Sequence, residues 1–130
     1  MINKHDFNNS VHKDIEMVQG DTLSFNFMIT GLKLGTPGAL NATYTFSCAD
    51  EKNILFTATS AHGEEEADGI SLVEYNEQKD VATYAVYISS AKTKDLELAR
   101  YYYDLQMEIG DNRYTLLRGR LELLMQVSRG

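Results

Sequence analysis

From Arg100 to Ile109 the side chains alternate without a break. Tyr101, Tyr103, Leu105, Met107 and Ile109 share one parity; Tyr102, Asp104, Gln106 and Glu108 share the other. A period of two places alternate residues on opposite faces of an extended chain, which is the pattern of a half-buried strand. The same period recurs in Thr22 to Ile29, where Leu23, Phe25, Phe27 and Ile29 oppose Ser24, Asn26 and Met28. It recurs again in Ala42 to Cys48 and in Val81 to Ile88. A chain with this repeated pattern is committed to sheets that bury one face.

The intervening segments read as turns. Residues 31–41 hold three glycines and the single proline, a loop composition. Asp50 to Asn53 is a polar turn, after which Ile54 to Ala58 is expected to return as the second arm of a hairpin. Ile70 to Tyr75 is a further strand, and Gly110-Asp-Asn112 turns the Arg100 strand into a last one over Arg113 to Val127. In that last strand the apolar parity changes between Leu116 and Leu117, so a β-bulge is expected near Leu117 to Gly119. Ser89 to Leu96 breaks the alternation. Its serines are expected to cap one helical turn, with Leu96 packing down as a plug. Seven or eight short strands with almost no helix predict an all-β, antiparallel, immunoglobulin-like sandwich over residues 14–128. Residues 1–13 show no apolar period and are expected to form a flexible arm.

The chain has 130 residues, a length suited to one domain that needs no disulfide or metal to hold it. No apolar run approaches the ~20 residues of a membrane helix. The polar start, Met1 to Ser10, lacks the apolar centre of a signal peptide. With 12 basic and 19 acidic residues the net charge is −7, which argues against general nucleic-acid binding. The charge is uneven. Residues 60–80 carry Glu64, Glu65, Glu66, Asp68, Glu74, Glu77 and Asp80 against Lys79 alone, and the rest is nearly neutral. That stretch is expected to face away from any anionic partner.

Catalytic and metal patterns do not assemble. His5, His12 and His62 lie in polar segments without ligand spacing. Cys48 is the only cysteine and shares parity with Tyr44 and Phe46, a core position. Glu64 to Glu66 with Asp68 offers carboxylates for calcium but not the spacing of a calcium loop. Gly31, Gly35 and Gly38 precede no helix and are not expected to cradle an anion. No catalytic residue, cofactor or metal is therefore expected. Outward-facing groups carry the remaining interest. Tyr102 has outward parity and suits an interface, sheet coverage or a tyrosine-corner contact. Arg118 and Arg120 share outward parity beyond the bulge and, with Arg113, mark the last strand as a candidate assembly surface.

Several segments together resemble a known family. They are Val18-Gln-Gly-Asp-Thr-Leu-Ser-Phe-Asn-Phe27, Ala42-Thr-Tyr-Thr-Phe-Ser47, and above all Ala99-Arg-Tyr-Tyr-Tyr-Asp-Leu-Gln106 with Tyr114-Thr-Leu-Leu-Arg-Gly-Arg-Leu121. In this order, over residues 14–128, the chain is similar to the N-terminal domain of phage upper baseplate proteins, small sandwich modules of tailed phages and prophages. Members commonly continue into further domains, whereas this sequence ends at Gly130. The resemblance implies a non-enzymatic virion component, made in the bacterial cytoplasm. Its partners would be other tail or baseplate proteins or further copies of itself, not nucleic acid or membrane. The alternative is a carbohydrate-binding sandwich that stacks sugars on Tyr102 or Tyr75. A small hydrolase is a third class and would need a cleft with convergent acids or histidines.

Overall fold

The structure, a computed structural model, describes Ile2 and residues 10–61, 68–94, 96, 97 and 99–125. In chain order the strands are β1 (Val11–His12), β2 (Ile15–Val18), β3 (Leu23–Thr30), β4 (Ala42–Ala49), β5 (Ile54–Thr59), β6 (Gly69–Asn76) and β7 (Val81–Ile88). One helical turn, α1 (Ser90–Thr93), leads to β8 (Arg100–Ile109) and β9 (Asn112–Leu124). One sheet has the order β1-β9-β8-β4-β5, with β2 also on β9; the other has the order β3-β7-β6. The all-β sandwich expected from the alternation is the observed class.

The inner faces carry the residues that the parity selects. Leu23, Phe27 and Ile29 of β3 and Tyr84, Val86 and Ile88 of β7 meet Tyr44, Phe46 and Cys48 of β4 and Tyr101, Tyr103, Leu105 and Met107 of β8. The Phe46 ring sits in the middle, with ring centroids 5.4 Å from Tyr103, 5.7 Å from Phe25 and 6.5 Å from Phe56. Burial pushes the Cys48 thiol up to about 12, with Asp50 adding to the effect. The reactive thiolate is therefore scarce at neutral pH. Native protein should resist alkylation by a maleimide at pH 7, and denatured protein should react at once, as mass spectrometry would show.

Two features differ from the sequence reading. The bulge lies one residue earlier than expected. Leu105 pairs with Leu117 and Gln106 with Thr115, so Leu116 is the extra residue, and it turns into the core. Leu96 packs against the core as expected, but the helical turn itself is anchored by Thr93 and is not capped by serine. Thr93 is fully buried and donates to the Asp21 carbonyl at 2.7 Å, while Leu96 is only partly buried. Ser89 makes no side-chain cap on α1. Its hydroxyl and backbone N–H turn instead to Asp68, at 3.3 and 2.9 Å.

Strand β1 also corrects the reading of the N-terminal segment. The expected arm over residues 1–13 falls largely on residues 3–9, outside the described residues. Within it, Val11–His12 pairs with Leu117–Arg118, and β2 continues the same register from Ile15 to Val18. Both run parallel to β9, so the sandwich is not wholly antiparallel. The interruption at Lys13 and Asp14 keeps its bonds. Lys13 N–H donates to the Arg118 carbonyl at 2.9 Å, and Asp14 Oδ1 accepts the Arg120 N–H at 3.0 Å. Ile2 is buried as well. It bridges Ile29 of β3 in parallel, donating to the Met28 carbonyl and accepting from the Thr30 N–H.

Candidate interaction surface

The outward parity of β8 and β9 builds one face of the larger sheet. Hydrogen-bond register sets Tyr102 opposite Arg120, Asp104 opposite Arg118 and Glu108 opposite Arg113. On the other side of β8, Asp104 faces Ser47 and Tyr102 faces Ala49 of β4. His12 of β1 lies beside Arg118 on the far side of β9. Tyr102 is 50% exposed. It stands between two shallow grooves. One, of about 540 Å³, is lined by His12, Asp104, Thr115, Arg118 and Arg120; the other, of about 370 Å³, by Ser47, Ala49, Ile54, Gln106 and Arg113.

The charges on this face are not equivalent. Arg113 is held by Glu108, at 2.8 and 3.1 Å. The guanidinium groups of Arg118 and Arg120 have no ion-pair partner among the described residues, although both belong to a face that carries acids. The Asp104 carboxylate likewise makes no hydrogen bond or ion pair among the described residues, and burial raises it above the ordinary carboxylate range. An ionised group held partly buried without a partner is unfavourable for the isolated fold. Of the four residues the sequence singles out, Tyr102, Arg118 and Arg120 therefore share an open face, and Arg113 sits at its margin, already paired. Asp104 was missed because its charge looks ordinary in sequence; only its position between Tyr102 and Arg118 makes it unusual.

Other expectations about this region change. Tyr101, not Tyr102, makes the backward contact of a tyrosine corner, donating to the Glu97 carbonyl at 2.7 Å. Tyr75 is packed against the core and donates to Asp80 at 2.9 Å, so its ring is not a free stacking surface. The glycine-containing loop after β3 does cradle an anion, but one from within the chain. The backbone N–H groups of Gly31 and Lys33 donate to the Asp80 carboxylate at 3.1 and 2.8 Å. Gly31, Lys33 and Asp80 all have positive φ, which turns these groups toward one another.

Asp68 similarly leaves the acidic stretch to act as an internal clamp. Its side chain is 12% exposed and pairs with Lys92 at 3.2 Å. Burial works against its charge, but the Ser89 donors and the Lys92 ammonium outweigh burial and hold the carboxyl below its ordinary value. A depressed folded pKa stabilises the fold fully above the unfolded value, about 3.9, and the stabilisation is lost as pH falls through the folded value. Asp68→Asn should lower the melting temperature at pH 7, with the difference from the parent closing below about pH 4. A difference that stays constant from pH 7 to pH 2 would refute this.

No group of three or more metal-ligating side chains occurs among the described residues. No helix among them is long and apolar enough to cross a membrane. No protein-family model matches the chain, and comparison with curated proteins finds no match. Among solved structures the chain is similar to part of a family 123 glycoside hydrolase from Clostridium perfringens, described for its glycolipid glycan hydrolysis. The TM-score is 0.55 at 12% identity, over 96% of this chain and 26% of that one. The chain thus spans about a quarter of the length of that protein, and the likeness is one of fold alone.

Proposed function

We propose that this chain is a structural module of a phage or prophage virion that works by protein–protein contact through the outer face of β8 and β9. The observation that carries the reading is the set Tyr102, Asp104, Arg118 and Arg120: an exposed aromatic ring among side-chain charges that form no ion pair among the described residues, the Arg120 guanidinium acting on Asp14 only through its field. Tyrosine and arginine are the residue types that dominate protein interfaces. A partner that supplies an acid to Arg118 or Arg120 and a donor to Asp104 would satisfy groups that the isolated fold leaves open. The resemblance to upper baseplate N-terminal domains supports the virion setting.

The test has two stages. Genes beside the coding sequence should encode tail or baseplate proteins, and a locus made only of metabolic genes would overturn the reading. Co-expressed neighbours should then co-purify with the chain, and Tyr102→Ala combined with Arg118→Glu should abolish that. Undiminished co-purification would remove this face from the assembly. The two grooves flanking Tyr102 favour a second reading, a saccharide stacked on its ring. Glycan binding that is lost in Tyr102→Ala would support this second reading over the first.

A further inference from the structure

We propose a second docking site, between the two sheets rather than on the outer face of β8 and β9: the slot between β3 and β1–β2 receives an extended segment of a partner protein, paired parallel to β3. Among the described residues the sandwich is open here. A cavity of about 770 Å³ separates the β3 edge of one sheet from the β1–β2 edge of the other. Its lining includes Phe25, Phe27, Ile15, Met17 and Leu117, side chains of core type.

The β3 edge is prepared for another strand. Ile2 takes its bonds from Met28 and Thr30, so the backbone groups of the even-numbered residues face away from β7. Successive residues of a strand direct these groups to alternate sides, which leaves the N–H and C=O of Ser24 and Asn26 toward the slot. Exposed edges are normally blunted by charge, proline or a bulge. The β5 and β6 edges each carry a register shift, between Cys48 and Ala49 on the strand facing β5 and at Val73 on β6. The β1–β2 edge is interrupted by the charged pair Lys13 and Asp14. By contrast β3, Leu-Ser-Phe-Asn-Phe-Met-Ile-Thr, holds no charge and no proline and pairs with β7 in unbroken register over all eight residues.

Ile2 shows what such an occupant looks like. It lies parallel to β3, gives both backbone groups to that edge, and its buried side chain lines the slot. A partner strand continuing this register past Phe27 toward Leu23 would place every second side chain in the slot, so those residues should be apolar and the alternate ones polar. Strand addition of this kind draws affinity from main-chain bonds and specificity from alternate side chains. A second copy of the sandwich fits less well, because the slot lies between two sheets and admits one strand, not a folded sheet.

The probe is the capped peptide acetyl-Lys-Ser-Ile-Asn-Ile-Ser-Lys-amide, added to the intact chain. Saturable binding should slow amide exchange at Ser24 and Asn26 about tenfold. Methylation of the two isoleucine nitrogens removes donors to the edge and should weaken binding by about tenfold. The Tyr102→Ala/Arg118→Glu chain should bind the peptide as the parent does, which separates this site from the assembly face. No binding, unchanged exchange at Ser24 and Asn26, or equal binding of the methylated peptide would overturn the proposal. So would protection of these amides that rises with protein concentration in the absence of peptide, since that would mark β3 as a contact between copies.

Discussion

Gly119→Ala is expected to lower the unfolding free energy by about 3 kcal/mol or more, a fall of about 10 °C in melting temperature. The reason is space, not backbone conformation. A Cβ at residue 119 would lie 2.7 Å from the Lys13 carbonyl carbon and closer still to its oxygen. These are backbone atoms, and they are held on several sides. Tyr103, opposite Gly119 in register, donates its hydroxyl to the Lys13 carbonyl. Lys13 N–H is bonded to Arg118, and Asp14 to the Arg120 N–H. Alanine therefore forces the parallel edge strand away from β9 and breaks bonds on both sides of the interruption. Hydrogen exchange should show the loss first at the amides of β1 and β2, whose partner is β9. An alanine variant with parental stability and parental exchange would show that the edge strand yields at no cost.

Phe46→Ala is expected to destabilise the chain by about 3–5 kcal/mol. Phe46 is fully buried, and its ring is packed by Phe25 from one sheet and by Phe56 and Tyr103 from its own. Truncation leaves a void at the point where the two sheets touch, and these rings belong to different strands that cannot all move inward. Phe46→Leu keeps most of the volume and should cost under about 2 kcal/mol. Chemical denaturation of both variants measures the difference. Near-equal losses would mean that packing around this ring is loose.

The period-two signal located every long strand, because it is a local property of an extended chain with one dry face. The Arg100–Ile109 strand matches its expected bounds, and its parity separates Tyr101 and Tyr103, buried, from Tyr102, exposed. The bulge was visible as a change of parity but was placed late. Parity shows that one residue is extra, whereas the pairing of Gln106 with Thr115 shows which one. The candidate face was half legible. Outward parity picked out Tyr102, Arg118 and Arg120, but a charge in sequence carries no sign of whether it is paired. Arg113 finds Glu108 across its own hairpin, while Asp104, which has Arg118 opposite, makes no ion pair among the described residues.

By itself, then, the sequence determined the class of fold, the core-facing side of β3, β4, β7 and β8 and the outward position of the candidate residues. Each of these follows from alternation within a few consecutive residues. It did not determine the core-facing side of β6, where the register shift at Val73 leaves Leu72 exposed and turns Tyr75 onto the core. Tertiary structure alone decided the parallel pairing of β1 and β2 with β9, the capture of Asp80 by the loop after β3, the need for glycine at residue 119, and the open slot beside β3. Those features join residues as far apart as Asp14 and Arg120. Backbone hydrogen bonding is the same for every residue type, so no local pattern announces which distant strand, or which backbone N–H, a segment will meet.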